Sequence, residues 1–322
     1  MPVPTDRPSS MDRRDFHRLV PAALAGIAAT TATAAAASPE RPPAEPFGYC
    51  LNTSTIRGQA LGIVAEIELA AKAGYTAIEP WMRELDQYVK DGGSLPDLRK
   101  RIEDAGLTVE SAIGFAEWIV DDDAKRVQGL EQAKRDMSLL AAIGGKRLAA
   151  PPVGATKQTG MPLLTIAERY RALLVLGNQM GVVPQVEVWG HSTTLGRLGE
   201  SVGVAIESQH PDACLLPDIY HLHRGGSGFQ GLKLVSGTAI HVFHVNDYPA
   251  TPPAPELTDA HRVYPGDGAA PLGKIFRGLR DSGFQGYLSL ELFNRDYWSQ
   301  DAATVVRTGL EKTRAAVQAA LA

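Results

Sequence analysis

Four side chains stand at the ends of four consecutive apolar runs: Glu187 in Val-Glu-Val-Trp-Gly, Asp218 in Leu-Pro-Asp-Ile-Tyr-His, His244 in His-Val-Phe-His-Val-Asn-Asp, and Glu291 in Leu-Ser-Leu-Glu-Leu-Phe. Three carboxylates and one imidazole make a donor set for a divalent cation. Brought together in a buried place, the carboxylates would repel one another strongly unless a cation offset them. Short, nearly continuous apolar runs are what parallel strands buried on both faces look like. In a parallel α/β barrel, the C-terminal strand ends face the active site. The pattern therefore predicts a metal site at a barrel mouth, with Glu187, Asp218, His244 and Glu291 as ligands.

The elements that must position these residues can be read along the chain. Strands are expected at 47–52, 76–79, 108–114, 146–150, 183–188, 213–217, 240–246 and 286–290. Helical segments lie between them, several ending at a glycine suited to a C-cap, such as Gly74, Gly106 and Gly181. Eight such alternations over about 275 residues predict a (β/α)8 barrel in one domain, 47–322. An open doubly wound sheet would want a Gly-rich phosphate loop after an early strand. The Gly-rich run Arg224–Gly228 comes late and lacks that spacing; it is read as a flexible loop over the site.

The N-terminal 37 residues do not belong to this pattern. Arg13-Arg14-Asp15-Phe16 precedes a weakly apolar, Ala- and Thr-rich stretch that ends in small residues, as a secretory signal does. The paired arginines resemble a twin-arginine export signal, so a periplasmic or secreted location is expected. Residues 38–46, with four prolines, read as a linker. The apolar stretch is too poor in large side chains to span a bilayer, so no membrane span is expected. A net charge of −4 gives no electrostatic case for nucleic acid. The only cysteines, Cys50 and Cys214, fall on non-neighbouring strands and are expected as free thiols.

Several of these segments together resemble the xylose-isomerase-like sugar isomerase/epimerase superfamily. They are Ala70-Ala-Lys-Ala-Gly-Tyr-Thr-Ala-Ile-Glu79, the Glu187 strand, Asp218-Ile-Tyr-His221, and His244-Val-Asn-Asp247 with Pro265-Gly-Asp-Gly268 and Glu291. The resemblance covers essentially all of 47–320. It implies that Glu187, Asp218, His244 and Glu291 bind Mn²⁺, Mg²⁺, Co²⁺ or Zn²⁺, and that Glu187 and Glu291 double as acid/base groups. It also places a substrate-binding histidine at His221.

Physical chemistry agrees with that assignment. Removing a proton beside a carbonyl builds an enediolate whose charge must be stabilised as it forms. Two carboxylates on opposite faces of a sugar can take and return the proton. Further expected substrate contacts are Arg262, which could clamp an oxygen, Glu79 and Trp118 near strand ends, and His191 at the mouth. The expected activity is isomerisation or epimerisation of a non-phosphorylated ketose or polyol, with elimination from a keto-sugar or 3-keto-glycoside as the alternative. Less favoured are a three-zinc endonuclease IV-like phosphodiesterase, for which only Asp259-Ala-His261 offers a matching pair, and a non-catalytic carbohydrate-binding barrel. Oligomeric state is left open by the sequence.

Overall fold

The computed structural model describes residues 46–322. The expected export signal (1–37) and all of the linker but its last residue lie outside the described residues.

Eight parallel strands form the wall: β1 (Gly48–Asn52), β2 (Ala77–Glu79), β3 (Thr108–Val109), β4 (Arg147–Ala150), β5 (Val183–Glu187), β6 (Leu215–Leu216), β7 (Val242–Val245) and β8 (Tyr287–Leu290). They pair in the order β3-β2-β1-β8-β7 and β4-β5-β6. Single parallel bridges, Ala112 to Leu148 on one side and Leu215 to Ile240 and Asp218 to His244 on the other, join the two groups into a ring. This is a TIM barrel, the expected fold.

Around the wall lie α1 (Ile63–Ala73), α2 (Met82–Lys90), α3 (Leu95–Asp104), α4 (Asp123–Ala142), α5 (Leu163–Met180), α6 (Leu198–Glu207), α7 (Ile219–Arg224), α8 (Leu272–Asp281), α9 (Arg295–Trp298) and α10 (Ala302–Leu321). Local chemistry sets many of their ends. Asp122, Asp218 and Asp301 accept backbone N–H bonds at the starts of α4, α7 and α10. Gly74 and Gly181, both at positive φ, close α1 and α5. Among the described residues no helix is long and apolar enough to cross a membrane. Cys50 and Cys214 are buried and free.

Alternation along the strands decides what the barrel holds. Residues two apart share a face, so Cys50 and Asn52, Ala77 and Glu79, Gln185 and Glu187, Val242 and His244, and Ser289 and Glu291 form pairs pointing the same way. Val242, Leu216, Ala149, Ile113 and Trp81 make an apolar cluster separate from the main core between strands and helices. Each large side chain fully buried in these layers contributes about 1.5–3 kcal/mol. The polar members of the pairs, at the strand ends, are left to build the site.

The Gly-rich run after α7 is not a loose cover. The Arg197 guanidinium donates to the carbonyls of Gly225 at 3.1 Å and Gly226 at 2.8 Å and ties it to the start of α6.

Candidate functional site

Strand register brings the ligand candidates together. Asp218 bridges His244 directly, and the His244 N–H donates to the Pro217 carbonyl at 3.0 Å. The Glu291 N–H donates to the Val245 carbonyl at 3.2 Å, which seats Glu291 beside them. One ligand atom each from Asp218, His244 and Glu291 lies within 4.8 Å of the others, and all three residues are buried. Glu187, the fourth expected ligand, lines the same cavity and is not one of these three mutually close residues. Arg262 lies across Asp218 and Glu291 and neutralises them, whereas Glu187 feels both as like charges.

His244 is held by its far nitrogen. Its Nε2 lies 3.0 Å from Glu79 Oε2, which also accepts from Ser289 Oγ at 2.6 Å and Asn52 Nδ2 at 2.9 Å. With Nε2–H donating to a carboxylate, Nδ1 is the free lone pair. That atom is 3.3 Å from Glu291 Oε2 but misaligned, and it has no hydrogen-bond partner. Glu187 Oε2 is likewise buried without a partner. Two orphaned donor atoms beside two carboxylates fit a divalent cation, with Asp218, His244 and Glu291 as its holders and Glu187 as a further donor.

Glu79, an expected substrate contact, does not line the cavity described below. It is fully buried beneath His244, and its charge orients the imidazole. Trp118 is also a correction: it is buried in the outer core, donating to the Pro151 carbonyl at 2.9 Å and packing on Tyr170. It lies well beyond the end of β3 and packs into the main core instead of lining the cavity.

Arg262 is more engaged than a substrate clamp would be. Nη1 donates to Asp218 Oδ2 at 2.7 Å and Glu291 Oε2 at 2.8 Å. Nη2 donates to Asp259 Oδ1 at 2.7 Å and meets His221 Nε2 at 3.1 Å. Its guanidinium also lies over Tyr220 and Phe293. The long loop that delivers it is gathered by Asp247, whose carboxylate accepts N–H bonds from Tyr248, Gly266, Gly268 and Ala270. A Cβ on Gly268 would come within 2.3 Å of Asp247 Oδ1, so the Pro-Gly-Asp-Gly turn needs a glycine there. Within the same loop, His261 turns back to Thr258 and Asp259 pairs with Arg262, so Asp259-Ala-His261 forms no metal pair.

Electrostatics separate the two cavity carboxylates. Burial pushes Glu187 up, to about 8, with Glu291 and Asp218 adding to the shift and His244 and the Trp189 side chain opposing it. Burial acts the same way on Glu291, but His244 and Arg262 outweigh it and hold that carboxyl below its usual range. Burial and Arg262 keep the His221 imidazole neutral. Asp218 is raised by burial despite Arg262.

Above this floor opens a cavity of about 640 Å³. Glu187, Glu291, His221, Arg262 and His191 face it, together with Trp81, Phe115, Trp189, Phe293, Trp298 and Arg57. The aromatic rim had no single sequence signal, because its members follow four different strands, β2, β3, β5 and β8.

A family model for the xylose isomerase-like TIM barrel matches residues 67–316. The chain belongs to that family. Among its xylose isomerase-like relatives, an inosose isomerase of Bacillus velezensis is 26% identical over 272 residues, spanning 83% of this chain and 96% of that protein. A 3-dehydroshikimate dehydratase of Pseudomonas aeruginosa is 24% identical over 269 residues, 79% of this chain and 40% of that one. A solved structure of the IOLI protein with a bound zinc atom superposes with a TM-score of 0.78 at 24% identity, covering 85% of this chain and 99% of that chain.

Proposed function

We propose that this barrel is a divalent-metal-dependent isomerase or epimerase of a non-phosphorylated ketose or related polyol, moving a proton beside the carbonyl. The observation that carries the reading is the buried Asp218–His244–Glu291 set, open to a cavity whose wall presents a second carboxylate, Glu187. A bound Mn²⁺, Mg²⁺, Co²⁺ or Zn²⁺ would polarise the carbonyl and the adjacent hydroxyl. The zinc named for the IOLI structure and the inosose isomerase among the relatives support both halves of the proposal.

The chain's own groups would divide the proton work. Glu291, whose carboxyl is held below its usual range, would take the proton; Glu187, whose burial favours the protonated form, would return one. Neutral His221, held between the Gly190 N–H at Nδ1 and Arg262 at Nε2, would form part of the wall against which the substrate hydroxyls lie, and the aromatic rim would exclude water from the reacting carbon. We further propose that residues 1–37 direct export, on the strength of the paired arginines.

The dehydratase relative favours a second reading, in which the same proton removal is followed by loss of a leaving group. One experiment separates the two. Metal-loaded protein is incubated in D₂O with inososes, free ketoses and 3-keto-glycosides, and followed by NMR. Solvent deuterium in an intact product supports the isomerase; an unsaturated product supports elimination. A preparation that elemental analysis shows to be metal-free and that turns over at full rate removes the proposal.

A further inference from the structure

The catalytic cavity has a cationic wall that the proton chemistry does not use. Arg57 lies in the turn after β1, half-buried, and faces both this cavity and an adjoining one of about 670 Å³. Its guanidinium carbon is 4.6 Å from the ring centre of Trp81, 5.0 Å from Phe293 and 5.2 Å from Trp298. Rings attract the cation as a whole and take up none of its five N–H donors. Among the described residues no hydrogen bond or ion pair engages those donors, although three carboxylates are near enough to be felt.

The cage is also fixed relative to the floor. Trp81 Nε1 donates to Asn52 Oδ1 at 2.9 Å, while Asn52 Nδ2 donates to Glu79 at 2.9 Å and Glu291 at 3.2 Å. One asparagine thus sets the distance between the metal-site carboxylates and the aromatic ring under Arg57. Arg83 crowds the same indole at 4.6 Å, and burial together with Arg83 lowers the Arg57 pKa, the mark of a cation short of counter-charge.

We propose that Arg57 is a specificity-determining residue that receives a carboxylate on the substrate, so that the preferred substrates are acidic hydroxy-ketones such as keto-uronic acids or their glycosides. The planar fork of a guanidinium matches a carboxylate in shape. One half-buried guanidinium also matches a carboxylate's single charge, whereas a phosphate monoester brings close to two. The other cation at the rim, Arg295, is exposed and screened by solvent. The substrate would then lie with its carbonyl end on the floor and its acidic end at the wall. The inference rests on the proposed reaction for the ketone end only.

The test uses metal-loaded full-length protein and ligand pairs that differ only in charge. Calorimetry compares glucuronate with glucose and with glucose 6-phosphate, and kinetics compares a 3-keto-glucuronide with the matching 3-keto-glucoside. The wild type is expected to favour the carboxylate at least 10-fold, and that preference is expected to shrink as salt is raised. Arg57→Met and Arg57→Gln are expected to lose about 10- to 100-fold more on the acidic ligand than on the neutral one, mainly in KM, with Arg57→Lys recovering part. Equal losses on both ligands make Arg57 a structural wedge and overturn the proposal. So does a wild-type preference for the neutral or the phosphorylated compound. Binding is read without turnover, so failure of the isomerase reading leaves this arm standing, and a salt-insensitive wild type sinks it even if no variant folds.

Discussion

Glu79 and His244 meet across the barrel floor at 3.0 Å, carboxylate to Nε2, with neither side chain open to solvent. The contact fixes which imidazole nitrogen is free. Replacing Glu79 with Gln keeps the volume and the acceptor for Asn52 and Ser289 and removes only the charge. Metal affinity is expected to fall about 10-fold or more, measured by competition with a chromophoric chelator. Unchanged affinity would mean that His244 needs no orienting partner.

Glu187 gives metal uptake a pH dependence with a defined sign. Its buried carboxyl, raised to about 8, binds its proton more tightly in the folded protein than in the unfolded chain. Its contribution to metal-free stability is therefore full at low pH and lost as pH rises through 8. A cation must displace that proton, so affinity is expected to climb from pH 6 to 8 and then flatten. Calorimetry in two buffers of different ionisation enthalpy counts the protons released. Glu187→Gln should release about one fewer; an identical count would place the proton elsewhere.

Arg262 supplies the positive charge that Asp218 and Glu291 share. Removing one member of a buried ionic group costs about 3–5 kcal/mol because its partners are left uncompensated. Arg262→Ala should therefore melt well below the wild type in chelator, and saturating metal should restore much of the difference. Scanning calorimetry with and without metal reads this directly. A deficit that metal leaves untouched would show that the two cations do not serve the same carboxylates.

Asp136 offers a control far from the catalytic chemistry. It is buried on α4, accepts from Gln132 at 2.6 Å, and has its pKa raised to about 6, chiefly by burial. Its contribution to stability is present below its unfolded value and lost as pH rises through about 6. Asp136→Asn is expected to match the wild type near pH 4 and to exceed it by on the order of 1 kcal/mol at pH 8. Denaturant titrations at the two pH values test it, and equal stabilities at pH 8 would refute the burial argument.

The strand skeleton was legible because each strand is a short apolar run stopped by a polar ligand candidate or a turn residue. Elements whose stability comes from their surroundings were not. The α2 helix is only nine residues long and buries only Met82 and Leu85, so its stripe of Met82, Leu85 and Val89 is too short to stand out. The short helix α7 had a visible start in Asp218, which accepts from the His221 N–H at 2.8 Å, but the ligand reading of that aspartate hid its capping role. Between α7 and β7 the described residues hold only short 3-10 segments, Gln230–Leu234 and Gly237–Ala239. Glu79 looked like any strand-end carboxylate; only three-dimensional placement shows that it faces an imidazole. Arg57 was silent for the same reason, since its cage is drawn from positions 81, 293 and 298.

Asn52 joins Glu79 to Glu291, a residue 239 positions later in the chain. The first strand and the residue just past the last are thus fastened by one side chain in the middle of the chemistry. A nascent chain lacking its final segment would hold Asp218 and His244 but not their third companion, and Asn52 would reach Glu79 and Trp81 without Glu291. The centre comes into being only when the ring shuts, so competence to capture a cation would report completed synthesis.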